Sequence, residues 1–127
     1  MLLWRKGSDT VQEQGDVCAA PGACGLPMTP IFCGGARRVM QEGEQWACGC
    51  NVVALRQGLV ASCSRTEATL RSLEQAGVRI IPSMAFLGGD VRIGETDRAV
   101  LTFEGSELVC GGGGPRCTTM PVLRDGF

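Results

Sequence analysis

Histidine is absent from this chain of 127 residues. That removes the side chain that most often moves protons near neutral pH and a common zinc ligand. Tyrosine is absent too, and only two tryptophans and four phenylalanines are present, so bases would find few stacking platforms. Neither sign of charge is in excess: twelve Lys and Arg stand against thirteen Asp and Glu, a net charge of −1. Such a balance leaves no electrostatic footprint for nucleic acid or an anionic membrane. No run approaches the ~18 apolar residues that a membrane span needs. The opening Met1-Leu2-Leu3-Trp4 is too short for the apolar core of a signal peptide, and Arg5-Lys6 follows it rather than preceding it. Nucleic-acid and membrane partners are therefore not expected.

What the chain has instead is glycine and cysteine. Nineteen glycines are about twice the usual share and point to many turns and short elements. Eight cysteines in a chain without a leader signal read as reduced thiols of a cytoplasmic protein. An extracellular disulfide framework is the alternative, and the sequence could not choose among its pairings. The length suits one small domain, able to bury roughly two-thirds of its unfolded surface, or part of a larger one.

Residues 1–25 are polar, without a clear period, and read as an irregular N-terminal segment. Residues 28–33 form a short apolar run that reads as a strand ending at Gly34-Gly35. The charged stretch 37–45 suits a short helix or turn. Residues 52–55 and 59–63 read as strands joined by a short loop containing Gly58. Ser64, with Glu67 three residues later, predicts a capping box. The helix behind it would place Leu70, Leu73 and Ala76 on one face and end at Gly77. Residues 78–81 follow as a strand stopped by Pro82. Residues 83–98 are loop-like, with room for a short helix near 84–87, and 99–103 form a further strand. A last strand is expected over 118–123, opened by Cys117. The order strand, strand, helix, strand, strand suits an α/β (α+β) fold built on a ββαβ module.

The most distinctive stretch is Gly111-Gly112-Gly113-Gly114-Pro115-Arg116-Cys117. A glycine run costs backbone entropy and gives no side chain to a core; what it supplies is a backbone that other atoms can approach, with amides to aim at a ligand. Cys117 beside the fixed charge of Arg116 is a candidate nucleophile, because positive charge and aimed N–H groups favour the thiolate. From the chemistry alone, a flexible surface loop with an ordinary buried cysteine stands as the alternative.

Ser106-Glu107-Leu108, this glycine run with Pro115-Arg116-Cys117, and then Met120-Pro121 resemble the C-terminal active-site segment of arginine deiminases. Upstream, Phe32-Cys33-Gly34-Gly35, Gln41-Glu42-Gly43-Glu44-Gln45-Trp46, Gly49-Cys50-Asn51 and Leu73-Glu74-Gln75-Ala76-Gly77-Val78 fall in the family's order. The resemblance runs from Leu26 to Asp125 and divides the chain into the segment 1–25 and an arginine deiminase-like module, 26–127. It implies a five-bladed α/β propeller (pentein-like) closed from ββαβ modules, of which this chain would hold the last or slightly more. The propeller would then be incomplete. Its uncovered edges and apolar flank would favour self-association or a partner chain.

The resemblance also implies hydrolysis of L-arginine to L-citrulline and ammonia, with no cofactor and with Cys117 attacking the guanidinium carbon. Gly111, Gly112 and Arg116 would line the substrate's approach. In the family, a histidine in a His-x-Asp motif moves the protons and acidic residues clamp the guanidinium, all upstream of the segment matched here. This chain has no histidine. It is therefore expected to be inactive alone, with L-arginine a substrate only if an upstream segment completes the site.

Gly43 stands where the family usually has Arg, Cys48 where Asp is usual, Gly112 where a substrate-gating Arg is frequent, and Thr118 where Met is usual. A non-enzymatic module that pairs with a partner chain is the second reading. A thiol-rich metal or redox protein is the third, with Cys48, Cys50, Cys110 and Cys117 as the ligands to consider. Cys-x-Cys is not the usual zinc spacing, and no metal site is expected. Cys33 and Cys63 read as small buried hydrophobes, and Glu104, Glu107 and Asp125 as solvated or capping carboxylates.

Overall fold

A computed structural model describes residues 1–123; Asp125 lies outside the described residues. The chain divides into two compact units, Met1–Pro30 and Ile31 onward.

The first unit is not irregular as expected. Strands β1 (Leu2–Trp4) and β2 (Val11–Glu13) pair antiparallel, and helix α1 spans Ala19–Ala23. Short exposed strands carry no alternation to read, and here local backbone pairing makes the hairpin. The N-terminal ammonium donates to the Gln14 carbonyl, the Gln14 amide to the Met1 carbonyl, and the Trp4 indole N–H to the Ser8 carbonyl. The Asp16 carboxylate accepts from the amides of Cys18 and Ala19, both at 2.8 Å, and so leads the chain into α1.

The second unit is built on a four-stranded mixed sheet, order β3-β4-β6-β5, made of β3 (Val53–Arg56), β4 (Leu59–Cys63), β5 (Arg79–Pro82) and β6 (Ala99–Phe103). Strand β3 is antiparallel to β4, and β6 runs parallel to both of its neighbours. A strand flanked on both sides and covered on both faces should be a continuous apolar run. Ala99, Val100 and Leu101 are buried accordingly, Val100 completely. The pleat then sorts the core in two. Leu59, Ile81, Ala99 and Leu101 share one face, packed by Val91 and Ile93; Val60, Ile80 and Val100 share the other, under Leu70 and Leu73 of helix α3 (Glu67–Gln75). Helices α2 (Arg38–Trp46), α4 (Ser83–Leu87) and α5 (Ser106–Cys110) complete the unit. The architecture is mixed α+β.

Helix α3 ends as expected. Gly77 takes φ +80°, and the amides of Gly77 and Val78 return to the carbonyls of Glu74 and Leu73. Its start is different. The N-cap residue is Thr66, not Ser64, and its side chain makes no cap. Ser64 instead donates its hydroxyl to Glu104 at 2.7 Å and its amide to the Phe103 carbonyl, tying the ends of β4 and β6 together. The cap comes from another helix. The buried Glu44 of α2 accepts from the amides of Ala68 (2.7 Å) and Thr69 (2.8 Å) and from the Thr69 hydroxyl (2.5 Å).

Two expected strands are not there. Residues 28–33 contain Pro30, which has no amide to donate, and Ile31 and Phe32 are exposed; Cys33 opens a turn rather than ending a strand. Residues 118–123 take no strand, because Cys117 and Thr118 close a turn onto the Gly114 carbonyl instead.

Glu44→Ala removes three acceptor contacts to a helix start at once. It should destabilise the chain by about 2 kcal/mol or more. Glu67→Ala, which breaks only an exposed pair with Arg71, should cost under about 1 kcal/mol. Urea unfolding compares the two; equal losses would refute the capping role of Glu44.

Candidate active site

The site is assembled from the ends of helices. Before α2, Gly34 (φ +75°) turns so tightly that a side chain there would strike the backbone of Met40 and Gln41. Its amide donates to the Thr69 hydroxyl oxygen at 2.8 Å, and the Gln41 side chain donates to the Gly35 carbonyl at 2.6 Å. After α2, the Cys48 amide returns to the Gln45 carbonyl and the Gly49 amide to the Glu44 carbonyl. This closure forces Cys48 into a left-handed conformation, φ +58°. Buried Gly49 has no room for a side chain: a Cβ would meet the Cys33 sulfur at 2.7 Å and the Glu44 carbonyl oxygen at 3.0 Å. Two residues on, the Asn51 amide bonds the Cys48 carbonyl and its side chain reaches the far end of the sequence.

The glycine run is less open than its composition suggests. The amides of Gly112 and Gly113 return to the carbonyls of Val109 and Leu108, with Gly112 at φ +71°, so these glycines terminate α5. Gly114 and Pro115 are buried. A Cβ at Gly114 would lie 2.7 Å from the Asn51 side chain, so only glycine lets Asn51 approach. The Asn51 amide oxygen accepts from the Arg116 backbone N–H at 2.8 Å, and its NH2 donates to the Cys117 sulfur at 2.7 Å.

Cys117 is exposed. The hydrogen bond from Asn51, followed by one from the Gly114 backbone, holds its pKa below the ordinary thiol value; slight desolvation opposes this and the charge of Arg116 assists it. Cys50 goes the other way, raised by partial burial and then by the neighbouring Cys33 sulfur. Cys33 and Cys63 are buried, and all eight cysteines are free thiols.

The structure thus places Cys117 and Arg116 together on one turn, with Gly111 and Gly112 exposed at the adjoining helix end. It does not gather Cys48, Cys50, Cys110 and Cys117 into a metal cage: among the described residues, no three His, Cys, Asp or Glu side chains could hold an ion. No helix among the described residues is long and apolar enough to cross a membrane. Sequence reasoning missed the roles of Glu44 and Asn51. Both lie in motifs that stood out, but spacing carries no sign that their partners lie in α3 and beside Cys117.

Because the thiolate is the form that alkylates, labelling of Cys117 should set in at lower pH than labelling of Cys50. Cys33 and Cys63 should stay protected. Brief iodoacetamide treatment of native protein across a pH series, read by peptide mapping, tests both. Earlier labelling of Cys33 or Cys63 would contradict the burial, and a Cys50 midpoint below that of Cys117 would contradict the electrostatics.

Comparison with known proteins fits this arrangement. The family profile described as arginine deiminase matches residues 25–124. The chain is 40% identical over 103 residues to the arginine deiminase of Mycoplasma capricolum, covering 81% of this chain and 21% of that protein. It is 36% identical over 107 residues to that of Mycobacterium avium and 35% identical over 107 residues to that of Mycobacterium tuberculosis, each covering 84% of this chain and 22% of the relative. No solved structure matches. The chain spans about a fifth of the length of these curated relatives. With the Pro-Arg-Cys turn and the profile match over residues 25–124 agreeing, the chain belongs to the arginine deiminase family.

Proposed function

We propose that Cys117 is the nucleophile of an arginine deiminase-like site, and that the module 26–127 turns over L-arginine only when other segments complete it. The observation that carries this reading is the thiol itself, exposed on the turn and held below the ordinary pKa by Asn51. The thiolate attacks the guanidinium carbon, ammonia leaves, and water then releases L-citrulline. Gly111 and Gly112 leave the approach to the sulfur unobstructed, and Arg116 keeps a positive charge beside it. No cofactor is called for.

The leaving ammonia must receive a proton, and that role typically contributes roughly 10²–10⁴-fold. No histidine in these 127 residues can fill it. The proton-moving group and the carboxylates that hold the cationic substrate come, on this reading, from segments beyond the stretch matched here, in the same polypeptide or another. The module is then one part of a five-bladed α/β propeller working in the cytoplasm, where its free thiols stay reduced.

The 127-residue chain alone should form no citrulline between about pH 5 and 9. Grafted in place of the matched segment of the Mycoplasma capricolum arginine deiminase, residues 25–124 should support citrulline formation that Cys117→Ala abolishes. Turnover by the chain alone above its Cys117→Ala control, or a folded but inactive graft, would sink the proposal.

Contacts that other segments would make are left exposed. Strand β3 is a sheet edge, and Trp46, Leu55, Met120, Val122 and Leu123 are exposed. With a net charge of −1 there is little repulsion between copies. Light scattering after size exclusion in reducing buffer should find assemblies larger than the 13.4 kDa chain at micromolar concentration. A clean monomer with cooperative unfolding would count against exposed module flanks.

A further inference from the structure

The amide of Asn51 has two different ends, and its surroundings fix which points where. The Arg116 backbone N–H can only donate, so the Asn51 oxygen must face it, at 2.8 Å. The NH2 group is thereby turned to the Cys117 sulfur, 2.7 Å away. An NH2 group can only donate, so the sulfur must accept. A thiolate accepts better than a thiol, and a hydrogen bond made to the charged form favours that form. Gly114 leaves room for this arrangement, since a Cβ there would overlap Asn51. The same amide therefore holds the turn that carries the sulfur and favours the sulfur's deprotonated form.

We propose that Asn51 is a positioning residue for Cys117: through one side-chain amide it anchors the Arg116 turn and donates to the Cys117 sulfur, favouring its thiolate. It works without a titratable group of its own. The proton lost by Cys117 goes to solvent rather than to Asn51, which has no site to receive it. The catalytic meaning of this role rests on the reading of Cys117 as nucleophile; its effect on the thiol does not.

The test uses the 127-residue chain and iodoacetamide as the probe, with the pH midpoint of Cys117 alkylation as the readout. Asn51→Ala loses both bonds. Asn51→Asp is nearly the same shape and keeps an oxygen for the Arg116 N–H, but it cannot donate to sulfur. The Asp variant also sets a negative charge against the sulfur, which raises the midpoint by itself, so the uncharged Ala variant decides whether the lost donor matters. Protection of Cys33 and Cys63 reports folding of each variant. The expected result is a Cys117 midpoint above wild type in both variants, and slower alkylation near pH 7.

A folded variant with the wild-type midpoint would overturn the proposal. So would a raised midpoint in the Asp variant alone, which the new carboxylate's charge explains without the lost donor and which would leave Asn51 only a structural anchor. If both midpoints rise as expected while the grafted enzyme forms no citrulline, the nucleophile reading fails and the Asn51 effect stands.

Discussion

A helix begins with amides that have no partner inside it, and in α3 those of Ala68 and Thr69 are satisfied by a carboxylate from a different helix. A cap supplied by a neighbouring residue in sequence would stabilise α3 and nothing else. Supplied by Glu44, it fixes α2 against α3, since sliding either helix would leave buried donors and a buried carboxylate unpaired. Everything downstream follows from that lock. The Glu44 carbonyl receives the Gly49 amide as α2 ends, Gly49 packs against Cys33 and Thr69, and the chain leaves that corner at Asn51. The Thr69 hydroxyl serves both sides of the joint, donating to Glu44 and accepting from Gly34. Asn51 then carries the position across to Cys117.

The sheet and the site differ in how far their determinants lie from one another along the chain, and that decides what could be read in advance. Strands β4 and β6 and the strand-loop-strand at Gly58 show their character within a few residues: Leu59, Ala61 and Val60 alternate between faces, and residues 99–101 are continuously apolar because both faces are covered. The same holds for the end of α3, where Gly77 supplies a left-handed turn that few other residues take at low cost. The start of α3 was misread for the converse reason. Ser64 and Glu67 satisfy a local rule, but the cap that forms comes from Glu44, 24 and 25 residues before the amides it holds. Ile31, Phe32 and Met120 look like strand residues, yet among the described residues none of the three pairs in a sheet, and each is exposed.

Asn51 was legible as part of a pattern and opaque as a function. Its two partners lie 65 and 66 residues away, and no spacing rule connects an asparagine to a cysteine at that distance. The glycine run shows the opposite error. It suggested free amides aimed at a ligand, whereas Gly112 and Gly113 spend theirs on the last carbonyls of α5 and Gly114 is small because Asn51 needs the space. Each glycine has a different steric reason, and composition alone merges them.

The positions at which this chain departs from its family's usual residues now divide by what surrounds them. Gly112 adopts φ +71°, a conformation that glycine enters more easily than arginine, so glycine there ends the helix with less backbone strain. Thr118 turns its hydroxyl onto the Pro115 carbonyl at 3.1 Å and supports the turn that holds Cys117. A Cβ at Gly43 would meet open space. Cys48 is the costly one. It sits left-handed at φ +58°, where the Asp usual in the family is better tolerated than most side chains. None of these changes falls at Glu44, Gly49, Asn51 or Gly114 themselves, the residues through which Cys117 is supported. On the proposed reading, the chain has kept the physical support of a nucleophile, while the groups that would grip arginine and protonate its leaving ammonia lie outside its residues. A thiol favoured as thiolate needs only its local donors; hydrolysis, on that reading, needs the acid and the clamp as well, so the proposal separates a thiol poised for attack from a site able to complete the reaction.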